Sequence, residues 1–155
     1  IFQPFFVKGA SMEPNFDDGQ YLIVDELSYY FRIPERGEVI VFKYPLDTRA
    51  YYIKRIIGLP GETVEIKSDN VTVYNDENPK GLVLNETYLP QGLATDGDIK
   101  QRLNRDEYFV LGDNRTASSD SRRWGVLPKS DIVGRVFIRV WPVDTFELLN
   151  QAPAY

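Results

Sequence analysis

The chain has 155 residues, 43% hydrophobic and 26% charged, with a formal net charge of −5, which describes one ordinary folded domain. No nucleic-acid partner is expected, because proteins that bind phosphate backbones usually present a basic face. The chain has no Cys and no His, which excludes disulfides, thiol nucleophiles, Cys/His metal sites and Ser-His-Asp triads.

Short runs rich in Ile, Val, Tyr and Phe, separated by Gly, Pro, Asn and Asp, predict β-strands along most of the chain. Helical periodicity is weak and predicts single turns only, near residues 26–31 and 128–132. No apolar run approaches the roughly 20 residues that cross a bilayer as a helix. The sequence therefore predicts an all-β pattern with strands near residues 4–9, 20–26, 38–44, 50–58, 63–67, 70–74, 107–111 and 133–140.

The composition changes once along the chain. Between about Lys67 and Arg105, polar residues and Gly replace the dense apolar runs found on either side. We interpret residues 67–105 as an insertion into a discontinuous β core formed by residues 1–66 and 106–150. The chain begins at Ile1 rather than Met, so we expect an upstream anchor or targeting segment to be absent from it.

The first candidate for chemistry is Ser11, in the segment GASMEP. Without histidine a serine nucleophile needs another base, and lysine can serve if its pKa falls from about 10.4 toward 7 or 8. A fall of about 3 units corresponds to roughly 4 kcal/mol, which apolar burial can supply by disfavouring the ammonium form. Taken alone, a serine beside glycine is more simply a turn residue.

The second candidate is the segment YYIKRIIGLPGE, residues 51–62, which places a lysine inside an apolar strand. Strand alternation puts Lys54 and Arg55 on opposite faces. Arg55 cannot become neutral in a protein, whereas Lys54 can. From this run alone, the alternative is a solvated lysine whose stem covers apolar surface.

The third segment is GDNRTASSDSRRWG, residues 112–125, directly after an apolar strand. Polar groups at this density must hydrogen bond or pair with one another if they are even partly buried. The alternative is a solvated surface loop stabilised by Asx and Ser turns.

Together and in this order, the three segments resemble the type I signal peptidases, membrane-anchored serine proteases with a Ser/Lys dyad. The resemblance covers nearly the whole chain. It implies a mainly β fold of antiparallel coiled sheets with a small inserted β-rich cap, in which residues 67–105 are the variable, non-catalytic region. It implies no metal or organic cofactor. Its implied partners are signal-peptide-bearing preproteins and the membrane lipid surface, at the outer face of the cytoplasmic membrane.

The resemblance also implies roles for individual residues. Ser11 is the expected nucleophile, with its backbone amide in the oxyanion hole, and Lys54 is the expected general base. Some relatives have a hydroxyl two residues upstream of the serine, where this chain has Gly9, so that donor is missing. In the loop, Ser118 is expected to orient the lysine amine by a hydrogen bond, Asp120 and Arg122 to form a supporting ion pair, and Asp113 and Arg115 to hold the loop in place.

The family cuts after small residues, typically Ala-x-Ala, because apolar walls make two shallow pockets. An extended substrate would add as a strand beside the segments leading to Ser11 and Lys54. The alternative for each wall residue is an ordinary place in the core. The walls expected by position are Phe5, Val7, Met12, Phe16 and Ile53.

Two other functions are compatible with a Ser/Lys pair on a β fold. One is a self-cleaving repressor protease of the SOS-response type, which the lack of a DNA-binding region disfavours. The other is a catalytically silent β domain that binds peptides by strand addition. Retention of both Ser11 and Lys54 argues against that reading.

Overall fold

The structure, a computed structural model, describes residues 1–142, 147–149 and 152–155, with only the backbone of Ile138 and Trp141. The described residues form two antiparallel sheets and one short α-helix, so the expected mainly β fold is confirmed. Residues 143–146 and 150 of the expected core range lie outside the described residues.

The larger sheet contains eight strands within the described residues and carries most of the apolar runs. Its strands are β1 (Phe2–Phe6), β2 (Tyr21–Asp25), β3 (Val39–Lys43), β4 (Tyr51–Gly58), β9 (Glu107–Leu111), β10 (Leu127–Pro128), β11 (Ile132–Trp141) and β12 (Glu147–Leu148). They are ordered β1-β2-β11-β3-β4-β9-β10, and β12 pairs with β11. The strand β4 thus lies between β3 and β9, and Lys54 pairs with Ile40.

The smaller sheet is formed by β5 (Thr63–Lys67), β6 (Asn70–Tyr74), β7 (Leu82–Val83) and β8 (Ile99–Arg102), in the order β7-β6-β5-β8. A two-residue turn joins β5 to β6, with φ of 51° at Ser68 and 65° at Asp69. Two consecutive residues with positive φ give the twist that an antiparallel hairpin needs. The expected turn at this point therefore fixes the register of the small sheet.

In the part of the chain that the structure describes, helical structure is limited to single turns, as the weak periodicity predicts. Short 3₁₀ turns occur at Ser28–Tyr30 and Lys129–Asp131, inside the two expected regions. The helix α1 (Ser121–Trp124) was not expected. Among the described residues, no helix has the length and apolarity needed to span a bilayer.

Over residues 1–142, 147–149 and 152–155, apolar side chains from both sheets form three buried clusters, each stabilised mainly by removal of side chains from water. One cluster lies between the small sheet and β4 and β9. A second contains the buried face of β2 and β3 together with side chains that flank Ser11. Its buried members are Val7, Met12, Phe16, Leu22, Val24, Val39, Val41 and Val136.

The strand ends differ from the sequence expectation mainly around the nucleophile. The first strand ends at Phe6 rather than near residue 9, and Gly9 adopts a φ of 88°. This left-handed conformation, which glycine adopts without strain, turns the chain out of the strand just before Ser11.

Candidate active site

Ser11 lies at the start of a tight turn that follows β1. The amide of Glu13 donates to the carbonyl of Ala10 at 3.1 Å, and the amide of Phe16 donates to that of Met12 at 2.9 Å. The Met12 side chain is only 1% exposed and inserts into the core. The turn is therefore anchored from below by Met12, which leaves the neighbouring Ser11 side chain half-buried.

Lys54 reaches Ser11 from the middle of β4. Its Nζ lies 2.9 Å from Ser11 Oγ and 3.0 Å from the carbonyl oxygen of Ile53. Burial lowers the pKa of Lys54 to about 8, although the carboxylates of Asp120 and Asp113 partly oppose this effect. Both side chains are candidates from the sequence, and the fold brings them within hydrogen-bond distance.

The backbone of Ser11 presents a free donor beside its side chain. Its N–H has no hydrogen-bond acceptor among the described residues, whereas its carbonyl accepts from the amide of Asn114 at 2.9 Å. The amide of Gly9 is already occupied, because it donates to Asp18 Oδ1 at 2.8 Å. A reacting carbonyl oxygen placed at Ser11 can therefore accept from the Ser11 amide.

Asp120 holds the loop that follows β9. Its fully buried carboxylate caps α1 by accepting from the amide of Arg122 at 3.2 Å, and it forms an ion pair with that guanidinium at 2.9 Å. It also accepts from the amide of Gly112 at 3.1 Å. The expected ion pair is therefore present, and the same carboxylate joins both ends of the loop.

Asp113 and Arg115 hold this loop through partners that the sequence did not indicate. Asp113 accepts two hydrogen bonds from Arg55, at 2.9 and 2.6 Å. The fully buried Arg115 donates to the Gly112 carbonyl at 2.8 Å and pairs with Glu86. The available signal for the Arg55–Asp113 pair was the position of Arg55 in an apolar strand. Such a position favours burial, and a buried guanidinium requires a carboxylate partner.

Ser118 does not make the hydrogen bond expected of it. Its Oγ is buried and has no hydrogen-bond partner among the described residues, Lys54 included. A Cβ at Gly112 would lie 2.1 Å from this Oγ, so Ser118 packs closely against the loop backbone. Orientation of Lys54 by Ser118 therefore stays a prediction.

A cleft of about 590 Å³ opens in front of Ser11 and Lys54. Three of the five expected wall residues, namely Phe5, Val7 and Ile53, line it, and so does Ser119, which the sequence did not indicate.

The other two expected wall residues, Met12 and Phe16, are buried in the core and do not line this cleft. Their side chains point inward because the turn after Ser11 folds onto the second cluster. Among the described residues, no group of three or more carboxylates converges as a metal site would require.

Comparisons with known proteins agree on one family. The family model described as signal peptidase, peptidase S26, matches residues 1–141. A Synechocystis protein named "Probable signal peptidase I-2" is 40% identical over 153 residues, covering 94% of this chain and 66% of that protein. Signal peptidase I of Leptolyngbya laminosa is 35% identical over 161 residues, covering 97% of this chain and 74% of that protein.

A crystal structure of a signal peptidase I from Enterococcus faecalis has a similar fold, with a TM-score of 0.56 and 30% identity. The similarity covers 68% of this chain and 97% of that one. With a matching family model over most of its length, the chain belongs to the signal peptidases of the S26 family, serine proteases that remove signal peptides.

Proposed function

We propose that this chain cleaves signal peptides from exported preproteins, with Ser11 as the nucleophile and Lys54 as the general base. The main support is the distance of 2.9 Å between Lys54 Nζ and Ser11 Oγ. The pKa of Lys54, lowered to about 8 by burial, leaves roughly a tenth of the amine neutral at pH 7, against well under a thousandth for a solvated lysine.

The reaction divides into acylation and deacylation. Neutral Lys54 accepts the proton of Ser11 Oγ while that oxygen attacks the scissile carbonyl carbon. The Lys54 ammonium then protonates the leaving amine as the peptide bond breaks, which yields an ester on Ser11. Lys54 next accepts a proton from a water molecule as the water oxygen attacks the ester carbonyl. The bond between the acyl carbon and Ser11 Oγ then breaks, the Lys54 ammonium returns the proton to Oγ, and the signal peptide leaves as a carboxylic acid.

The Ser11 amide is the proposed donor to the oxyanion of both tetrahedral intermediates. This role is supported by the lack of any other acceptor for that N–H among the described residues. Gly9 has no side chain to assist, so the oxyanion must rely on the backbone donor of Ser11. In other enzymes, the loss of one oxyanion-hole donor costs about 2.7 to 4 kcal/mol of transition-state stabilisation. In the same mechanism Ser118 turns its hydroxyl to Lys54 and orients the amine.

Substrate selection is assigned to the cleft beside the dyad. Phe5, Val7 and Ile53 supply apolar walls, and a preprotein segment bound between β1 and β4 would present its small Ala-x-Ala residues to them. Cleavage after small residues follows if these walls leave no room for a larger side chain.

The two parts of the chain are proposed to have different tasks. Residues 1–66 and 106–150 carry the nucleophile, the base and the loop after β9, and we assign catalysis to them. Residues 67–105 contribute no side chain to the described cleft, and we assign them no direct part in bond making or breaking.

The site of action is proposed to be the outer face of the cytoplasmic membrane, at the lipid surface. Support comes from an exposed apolar segment at the end of the first 3₁₀ turn and directly after it, where Tyr30 and Phe31 are each 82% exposed and Ile33 is 71% exposed. Aromatic side chains favour the membrane interface.

Cleavage of a detergent-solubilised preprotein with an Ala-x-Ala site tests this function, with the cut position read by mass spectrometry. We expect a cut after the second Ala by the wild type and by Lys67→Ala, a matched change of an exposed lysine. Ser11→Ala and Lys54→Ala should lose cleavage. Near-wild-type activity in either of these two variants would exclude the dyad.

A further inference from the structure

The β7–β8 loop, residues 84–98, belongs to the insertion but reaches the loop that follows β9. Glu86 and Thr95 both accept hydrogen bonds from Arg115, at 2.9 and 2.6 Å. Asp96 accepts one from Arg122 at 3.0 Å. A segment with no side chain in the cleft is thus attached to the loop that carries Asp113, Ser118 and Asp120.

Glu86 determines where the Arg115 guanidinium can lie. Both carboxylate oxygens of Glu86 accept from Arg115, whose side chain is fully buried. A buried guanidinium cannot leave its carboxylate without being left unpaired in the interior. Because Arg115 Nε donates to the Gly112 carbonyl at 2.8 Å, Glu86 also fixes the backbone at Gly112.

Gly112 in turn packs directly against the nucleophile. A Cβ at this position would lie 2.6 Å from the Ser11 carbonyl oxygen, so the two backbones are in close contact. The amide of Asn114 donates to that same oxygen at 2.9 Å. Any displacement of Gly112 therefore shifts Ser11.

Tyr88, two residues after Glu86, contacts Arg55, the residue next to the proposed base Lys54. The Cζ of Arg55 lies 3.9 Å from the centroid of the Tyr88 ring, a cation–π stack. The Tyr88 hydroxyl donates to Glu86 Oε2 at 2.6 Å. Since Arg55 follows Lys54 directly in β4, this stack restrains the strand that carries the base.

The backbone of Tyr88 contacts the turn of the nucleophile. Its carbonyl accepts from Asn15 Nδ2 at 2.7 Å, and the same amide group donates to Asp113 Oδ2 at 2.8 Å. Asn15 lies four residues after Ser11 in the tight turn. One loop therefore restrains the nucleophile turn, the base strand and the loop after β9 at once.

We propose that Glu86 and Tyr88 are positioning residues of the dyad, although neither touches the reacting atoms. Glu86 acts through Arg115, and Tyr88 acts through Arg55 and Asn15. This inference rests on the proposed Ser/Lys chemistry and assigns to the insertion the control of the distance between the two catalytic side chains.

Loosening either contact should reduce turnover more than substrate binding. A small increase in the separation of Ser11 Oγ and Lys54 Nζ lowers kcat by about tenfold or more, while KM changes by less than about threefold because the cleft walls are unaltered. Water would also reach Lys54, and since burial lowers its pKa against the opposing effect of Asp120 and Asp113, that pKa should rise by about 0.5 or more.

The test compares Glu86→Gln and Tyr88→Ala with matched changes in the same insertion. Glu77→Gln alters an exposed glutamate that has no ion pair among the described residues. Tyr74→Ala removes a tyrosine whose hydroxyl donates to Glu65 at 2.8 Å, a bond between β6 and β5 within the small sheet. For each variant, kcat and KM are measured on the preprotein, and the pKa of Lys54 is read from an NMR titration of its ¹³Cε signal.

We expect lower kcat and a higher Lys54 pKa in the first pair and wild-type values in the controls. Unchanged kcat and Lys54 pKa in folded Glu86→Gln and Tyr88→Ala would overturn the proposal. If these two do not fold, Glu86→Asp and Tyr88→Leu, which removes the aromatic ring but keeps an apolar side chain, take their place, and an unchanged Lys54 pKa in both also overturns it. Absence of cleavage by the wild type contradicts the proposed function instead, and the NMR titration still decides the positioning role.

Discussion

Arg55, the residue after Lys54 in β4, forms an ion pair with Asp113 through two hydrogen bonds. Arg55 Nε and Nη2 donate to the two oxygens of Asp113 at 2.9 and 2.6 Å, and both side chains are buried. The pair joins β4, which carries the base, to the loop that also bonds the nucleophile backbone. It therefore links the three segments that the sequence marks as unusual.

Removal of the carboxylate in Asp113→Ala should destabilise the protein by about 3 to 5 kcal/mol, because it leaves the buried Arg55 charge unpaired. Urea denaturation followed by circular dichroism measures this change. Asp47→Ala is the matched control, since Asp47 pairs with Arg49 at 2.9 Å on the surface and should change stability little. Equal stability changes in the two variants would contradict the buried-pair account.

The pH dependence of cleavage should report the titration of Lys54. Only the neutral amine can accept the Ser11 proton, so kcat/KM should rise with pH and reach half its maximum at about 8, the pKa that burial gives Lys54. Single-turnover assays between pH 6 and pH 10 measure the profile. A midpoint near 10, the usual value for a solvated lysine, would mean that burial does not act on this amine.

Much of the fold could be predicted because the longer strands carry their own signal. Apolar runs bounded by turn residues place β2 to β6, β9 and β11 within one or two residues. The strands β7, β10 and β12 contain two residues each, and β8 contains four. Such short strands are defined by the partner they pair with, which local sequence does not contain.

The site shows the same division between local and distant information. Residue chemistry made Ser11 and Lys54 candidates, because a chain without histidine leaves few possible bases, and the resemblance of the three segments to type I signal peptidases implied their roles. The partners of the supporting residues could not, since Arg55 and Asp113 are 58 positions apart and Arg115 and Glu86 are 29 apart. The inward orientation of Met12 likewise depends on how the turn packs on the core.

Ser118→Ala separates a catalytic role of this hydroxyl from a structural one. If Ser118 rotates toward Lys54 during the reaction, kcat should fall by about tenfold or more while KM stays the same. Stability should not decrease, because the buried Oγ has no partner to lose among the described residues. Steady-state kinetics with a thermal unfolding curve checks both, and an unchanged kcat would remove Ser118 from the mechanism.

Lys54→Met should abolish cleavage and stabilise the fold at pH 7. A folded-state pKa of about 8 against an unfolded value of about 10.4 means that the unfolded chain binds more protons between these limits. The free energy of unfolding of the wild type therefore rises with pH across this window. Below about pH 8, the buried Lys54 ammonium destabilises the folded state by up to about 3 kcal/mol.

The methionine variant should lack this pH-dependent increment, which urea denaturation at pH 7 and pH 10 can measure in parallel with the wild type. Lys67→Met, a change of an exposed lysine, should retain it. Destabilisation of Lys54→Met at pH 7 would contradict a buried, strained ammonium at this position.

Ile53→Ala should relax the preference for small residues before the cut. The Ile53 side chain lines the cleft next to Lys54 and is only partly buried, so truncation enlarges the cleft without emptying the centre of the core. A difference of one to a few methylenes in an apolar pocket changes discrimination by about 10- to 200-fold. We therefore expect preproteins with Val or Leu in place of one of the two Ala residues to gain kcat/KM relative to the Ala-x-Ala substrate. Competition between the two preproteins in one reaction, with the products resolved by mass spectrometry, measures the ratio directly.

Val133→Ala is the control for the Ile53→Ala prediction, because Val133 packs on the same cluster but does not line the cleft. A shift in that ratio in Val133→Ala equal to the shift in Ile53→Ala would attribute the effect to loosened packing rather than to the cleft wall.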